Sequence, residues 1–268
     1  MEAEFTRQEC PRRDHPQYNL SVIVREIKAR SILSKSQIYD YTINPYVGCL
    51  HACTYCYARF MKRFTGHREP WGEFIDVKVN AVELLKRAIV KAKPGTVWVS
   101  GVCDPYQPVE REYRLTRGCL EVLVEHDWPV TVQTRSPLVV RDIDVLAGKN
   151  GVEVGMSITT ADESFRKIFE PGAPSIRERI KALETLHAAG IKTFAMIAPV
   201  LPGAGQLPTL LAGKADYVMI DRLNYHYADW VYKKHHLETM MSESFFLSKS
   251  QGLRRAFGEK GIECRVVS

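Results

Sequence analysis

Between residues 79 and 221 the chain switches repeatedly between helix-period and strand-type segments, and this alternation admits few folds. "NAVELLKRAIVKA" places Val82, Leu85, Ile89 and Val90 on one helical face. "GTVWVSG", "WPVTVQT", "GVEVGMSI", "IKTFAMIAPV" and "ADYVMID" read as strands, and helical segments separate them. The clearest helix is "SIRERIKALETLHAAG". Ser175 is its N-cap, Glu178 completes a capping box, and Gly190 stands at its stop. Ile176, Ile180, Leu183 and Leu186 form its core stripe. "GQLPTLLAGK" reads as mostly helical despite Pro208. Strands alternating with helices predict βαβ units and a parallel sheet. With "YDYTINPYVG" taken as the first strand there are six. The predicted class is α/β, a partial (β/α)6 TIM-type barrel open on one side. A doubly wound sheet is the alternative, although no Gly-rich fingerprint follows any strand. "SESFFLSKSQGLRRAF" and "GIECRVVS" read as a closing helix and strand.

Residues 1–18, with Pro11 and Pro16 among charges, read as a loose arm. No internal linker or repeat follows, so residues 19–268 are expected to form one domain. A chain of 268 residues, 45% hydrophobic, can bury a sizeable core. It contains no run of about 18 apolar residues and no signal-type apolar stretch near its start. The expectation is a cytoplasmic protein without membrane contact. Seven cysteines, an odd number, argue against a disulfide framework and for reduced thiols, metal binding or catalysis. A formal charge of +6 suits a nucleic-acid or other anionic partner, and equally an ordinary solvated basic surface.

"GCLHACTYCYARF" packs Cys49, Cys53 and Cys56 at C-x3-C-x2-C spacing just after the proposed first strand. Sites in barrels and open parallel sheets form at that end of the strands. Structural zinc sites and ordinary iron–sulfur clusters take four protein ligands. Cys10, Cys103, Cys119 and Cys264 stand apart from this loop. Three thiolates leave one coordination position open, the mark of a catalytic metal. A zinc loop completed by a distant residue such as His51 or His67 is the competing reading of the same cysteines.

The spacing C-x3-C-x-aromatic-C resembles the cluster motif of the radical S-adenosylmethionine superfamily. "DYTINPYVGCLHACTYCYAR", "SGVCDPYQPVE", "TRSPLVVRDIDVL", "SITTADESFRKIFEPGAPSIRERIKAL" and "MIAPVLPG" are together similar to its branch related to spore photoproduct lyase, often labelled DNA-repair-photolyase-like. The resemblance spans roughly residues 25–203. It implies that Cys49, Cys53 and Cys56 hold a [4Fe–4S] cluster whose free iron takes the amino and carboxylate groups of S-adenosyl-L-methionine. One electron, from a donor such as flavodoxin or ferredoxin, then splits the sulfonium to a 5′-deoxyadenosyl radical. That radical abstracts hydrogen from a substrate the sequence does not identify. The branch further implies, as an alternative, lyase chemistry on a DNA lesion.

Carried over position by position, the resemblance puts Tyr55 beside the adenine and Ser100-Gly101 at the methionine amino group. Asp104 stands in for an acidic residue often found in that second region. Arg135 would hold the methionine carboxylate, Ser157 would lie near the ribose, and Pro199 near the adenine. Cys103 would return a hydrogen atom to the substrate radical, with Tyr106 assisting. Local readings compete: Gly101 permits a turn, Ser157 caps a strand end, Arg135 pairs with Asp104, and Cys103 fills the core. In "NYHYADWVYKKHH", residues 224–236, aromatic and basic residues interleave. A core stripe with a charged outer face is the preferred reading, ahead of a nucleic-acid surface. Two further classes remain: an iron–sulfur electron-transfer protein and a zinc-stabilised interaction module.

Overall fold

The computed structural model describes residues 22–267; the loose arm assigned to residues 1–18 lies outside them. The strands are β1 (Ile23–Ile27), β2 (Leu33–Lys35), β3 (Tyr41–Ile43), β4 (Tyr46–Val47), β5 (Phe74–Lys78), β6 (Val97–Val99), β7 (Val130–Thr134), β8 (Val152–Ser157), β9 (Lys192–Ile197), β10 (Tyr217–Ile220) and β11 (Glu263–Val266). The main sheet runs β11-β10-β9-β8-β7-β6-β3-β2. Its members from β3 to β11 pair in parallel, and β2 joins β3 antiparallel. Each parallel strand lies beside the next one in the chain, without the reversal of order that defines a doubly wound sheet. The molecule is therefore a partial barrel, open between β2 and β11.

A second sheet, β1-β5-β4, stands beside the first. The segment read as a single first strand is divided. β3 pairs with β6 in the barrel, Asn44 and Pro45 break the run, and β4 pairs antiparallel with β5. Proline has no N–H to offer a ladder, so the break falls where a continuous strand would lose a bond. β5 is not legible as a strand from sequence, because its residues Phe74–Val77 are all buried and show no alternation.

The helix Ala81–Ile89 buries Leu85 and Ile89, but Val90, expected on the same stripe, is the C-cap and is 79% exposed. The helix Ile176–Ala188 carries the expected capping box between Ser175 and Glu178 and buries Ile176, Ile180, Leu183 and Leu186. Gly190 beyond it takes a φ of 75°, the left-handed stop that glycine adopts most readily. Pro208 sits in the first turn of the helix Leu207–Leu211, where no helical N–H is needed. Valines and isoleucines of β6 to β10 meet Leu85, Leu120, Leu183 and Phe257 from the covering helices in one continuous core. No helix among the described residues is long and apolar enough to cross a membrane. With the core filled, the loops after β3/β4, β6, β7, β8 and β9 converge at one end of the barrel.

Candidate active site

The loop Gly48–Cys56 is held from several sides. Gly48 has a φ of 92°, and a Cβ there would lie 2.3 Å from the Phe74 carbonyl oxygen. Gly72, with a φ of 104°, lets the turn before β5 press on the loop; a Cβ on it would lie 2.5 Å from that of Ala52. The Gln107 side chain spans the loop's start, accepting from Leu50 N (3.1 Å) and donating to Gly48 O (3.2 Å). On the β8 side, Thr54 N donates to Phe169 O (2.9 Å) and Gly172 N to His51 O (3.0 Å). His51 is buried, with Nδ1 3.2 Å from Gly172 O and Nε2 3.2 Å from the Asp104 carboxylate.

This clamp presents three free thiols. Burial pushes all three pKa values up. Cys49 is raised further by Asp104 and by the other two thiols, and Cys53 is pushed up to about 12 despite the opposing pull of Arg135. Burial raises Cys56 too, while Arg135 and the Trp71 indole N–H pull the other way. Buried thiols that repel one another as anions suit a cationic group that would neutralise them together. No three His, Cys, Asp or Glu side chains among the described residues gather closely enough to hold one metal ion. A cluster asks for a different arrangement, because each thiolate bonds its own iron. Three free thiols held on one clamped loop are a donor set whose chemistry suits an iron–sulfur cluster.

Arg135, after β7, is fixed at both ends. Its backbone N–H donates to Asp104 Oδ2 (2.7 Å), its Nη2 to the Tyr55 hydroxyl (3.0 Å), and its Nε contacts Glu170 Oε1 at 3.3 Å. Asp104 thus holds the backbone of Arg135, and the guanidinium pairs with Glu170 instead. Sequence reasoning does not single out Glu170. It is fully buried and gathers the Tyr55 hydroxyl, Thr159 Oγ1 (2.9 Å), Arg135 and Arg179 Nη1 (2.5 Å). Burial alone would raise its pKa; Arg179, Arg135 and the donated hydrogen bonds outweigh this and bring it down to about 2. The signal that could have found it is the only acid in "FEPGAPS", directly before the capping box.

Asp104 is also buried and also held at about 2, because His51, Thr134 and the Arg135 N–H outweigh desolvation. Its oxygens already accept from Thr134 Oγ1 (2.6 Å), Tyr106 N (2.9 Å) and Arg135 N (2.7 Å). It braces the loops and offers little to an incoming amino group. Ser100, with a φ of 67°, holds a buried hydroxyl without a partner, and Gly101 O accepts from the Tyr57 hydroxyl. Ser157 Oγ is buried and accepts from Gln133 Nε2 (3.2 Å). Pro199, after β9, is buried behind a cis Ala198–Pro199 bond.

Cys103 packs against the same apolar group as Cys49 and Cys56. Its thiol donates to Tyr46 O (3.4 Å), and burial pushes it up to about 12. Tyr106 is not beside it. That phenol is buried in the barrel core, near Asp142 and Glu110, with Arg141 over its ring at 5.9 Å. Tyr57, 37% exposed at the mouth, directly follows Cys56 and donates its hydroxyl to the carbonyl of Gly101, two residues before Cys103. Tyr57 stacks on Tyr225, and Tyr225 on Tyr227, each pair at 6.0 Å. Tyr225, Tyr227 and Trp230 are exposed and Tyr232 is buried, so most of the aromatic stretch is surface and not core.

A sequence model of the Radical SAM superfamily matches residues 43–205. An uncharacterised protein of Methanocaldococcus jannaschii is 32% identical over 250 residues, which is 90% of this chain and 93% of that one. A radical SAM Nα-GlyT isomerase of Pseudomonas phage M6 is 29% identical over 67% of this chain and 36% of its own length. A spore photoproduct lyase complexed with dinucleoside spore photoproduct shares the fold with a TM-score of 0.66 at 16% identity, over 91% of this chain and 81% of that one.

Proposed function

The chain belongs to the radical SAM superfamily, and from that membership we propose that it cleaves S-adenosylmethionine reductively and removes a hydrogen atom from a substrate. It is an enzyme whose cofactors are a [4Fe–4S] cluster and S-adenosylmethionine. Together these supply, on one-electron reduction, a 5′-deoxyadenosyl radical. The observation that carries the reading is the thiol triplet at the barrel mouth, Cys49 and Cys53 buried and Cys56 half-buried, with Arg135 locked beside Cys53.

In this reading Cys49, Cys53 and Cys56 hold the cluster. The Arg135 guanidinium, pre-oriented by Glu170 and Tyr55, meets the methionine carboxylate; an ionic hydrogen bond of this kind contributes about 1.5–3 kcal/mol. Ser100 and Gly101 face the methionine amino group, and Tyr55, Ser157 and Pro199 wall the adenosine. Asp104 and Glu170 position these groups. An external one-electron donor of the flavodoxin or ferredoxin kind supplies the electron. Cys103 gives a hydrogen atom to the substrate radical, and Tyr57 restores the thiol. The Cys103–Tyr57 pair would regain its hydrogen either as an atom from 5′-deoxyadenosine, which would then carry the unpaired electron, or as an electron and a proton from external reductant and solvent, and the ratio of 5′-deoxyadenosine to product tells which.

Cys103→Ala tests the hydrogen return. It should still cleave S-adenosylmethionine while 5′-deoxyadenosine accumulates without the normal product. Cys103→Ser should behave alike, since an O–H bond is too strong to donate readily. Unchanged products with a lowered melting temperature would leave Cys103 as packing.

One observation favours nucleic acid as the substrate class. Arg59, Lys62 and Arg63 line an open cleft with Phe60 and Tyr227, beside the Tyr57–Tyr225–Tyr227 stack. Cations beside exposed aromatic faces suit a phosphate backbone and unstacked bases. Single-stranded DNA should therefore bind in a salt-dependent manner. Arg59→Glu with Arg63→Glu should weaken binding and lower the salt slope by about 1 for each phosphate no longer neutralised. Binding indifferent to both salt and substitution would rule this substrate class out.

A further inference from the structure

The roles above leave one polar group beside the thiols unused. Trp71 lies in the turn before β5, is 8% exposed, and packs edge-on to Phe74 with ring centroids 5.9 Å apart. It belongs to the apolar group of Cys49 and Ala58, against which Cys56 and Cys103 pack. An indole has one polar function, the Nε1–H donor. Here that donor is buried without an acceptor, and an unmade bond of this kind is costly. The turn cannot easily move away, because Gly48 meets Phe74 and Gly72 meets Ala52 too closely for any side chain. Cys56 packs against this same apolar group, and the indole is among the groups that draw its thiol pKa down against burial.

We infer that Trp71 donates its indole N–H to the Cys56 sulfur when that sulfur is bonded to iron, and so raises the potential at which the cluster accepts its electron. The inference rests on the reading that Cys49, Cys53 and Cys56 hold the cluster. One electron arrives from a low-potential donor and no proton or bond is transferred, so the reduced form carries one more negative charge. Part of that charge resides on the sulfurs, and a fixed N–H donor stabilises it more than it stabilises the oxidised form. The three sulfurs also differ in their surroundings. Cys53 has the Arg135 cation, Cys49 has the Asp104 anion, and Cys56 has the neutral indole donor as well as Arg135.

Trp71→Phe keeps an aromatic ring and removes the donor. After anaerobic reconstitution, a redox titration followed by electron paramagnetic resonance should find the variant with wild-type iron and sulfide. Its reduced-to-oxidised ratio at a fixed potential should be about tenfold lower, a midpoint roughly 59 mV more negative for one electron. An unchanged midpoint at normal iron content overturns the inference. Should the variant load poorly, the wild type carries the test. With 15N-labelled tryptophan, one indole N–H resonance should move downfield and become protected from exchange with D2O on loading. If no indole responds, the inference fails. A wild type that takes up no cluster refutes the ligand reading itself, a result distinct from either outcome.

Discussion

Glu170 shows what a single residue does here. A fully buried carboxylate between Arg135 and Arg179 is tolerable only while both partners stay, and removing one side of such a pair costs about 3–5 kcal/mol. Glu170→Gln should destabilise the cluster-free protein by that order at pH 7. Because its folded pKa is about 2 against an ordinary 4.5, the ion contributes its full stabilisation above pH 4.5 and loses it as the pH falls toward 2. Asp104, lowered from 3.8 to about 2, acts in the same direction over a narrower window. Urea denaturation across that range should show a shallower acid loss in Glu170→Gln than in wild type; parallel curves would show that folding does not lower the Glu170 pKa. Arg135→Ala should weaken S-adenosylmethionine binding by roughly 10- to 150-fold by calorimetry, and an unchanged affinity would place the cofactor elsewhere. The sequence reveals the cysteines because their spacing is local. It hides Glu170 because Tyr55 lies 115 positions away from it. It suggests Tyr106 for proximity to Cys103 along the chain, but that side chain turns into the core and Tyr57 comes from another loop.

At the level of elements, the clamp on the Gly48–Cys56 loop is the feature that fixes where the three thiols lie. Gly66 and Gly72 both have positive φ, yet a Cβ on Gly66 meets nothing within 4 Å, whereas one on Gly72 meets Ala52. Gly66→Ala should cost about 1 kcal/mol for the backbone alone. Gly72→Ala should cost more and also lower the iron bound per chain, as read by iron and sulfide analysis after reconstitution. Equal iron in the two variants would show that the turn does not set the loop. The barrel strands and the Ser175 capping box are legible because periodicity and caps are local signals. β1, β2 and β5 are not. Two of these have partners outside the barrel pattern, β5 is buried without alternation, and β2 has only three residues.

The whole molecule brings the loops after consecutive strands to one mouth, so residues from five parts of the chain meet around three thiols. Sequence order predicts this convergence, since parallel strands taken in order place all their C-terminal ends together. What it does not reveal is the outward turn of Tyr225, Tyr227 and Trp230, because these residues fall across a helix cap, a single turn and a short helix, where aromatic spacing does not say which face finds a partner. These three cysteines are proposed to enable cleavage of S-adenosylmethionine. The most direct test is 5′-deoxyadenosine formation, measured by mass spectrometry after anaerobic reconstitution and reduction, in wild type and in Cys49→Ala, Cys53→Ala and Cys56→Ala. The wild type should bind about four irons and four sulfides and form 5′-deoxyadenosine, and each variant should form none. Wild-type levels of 5′-deoxyadenosine from any one of the three variants would contradict the account.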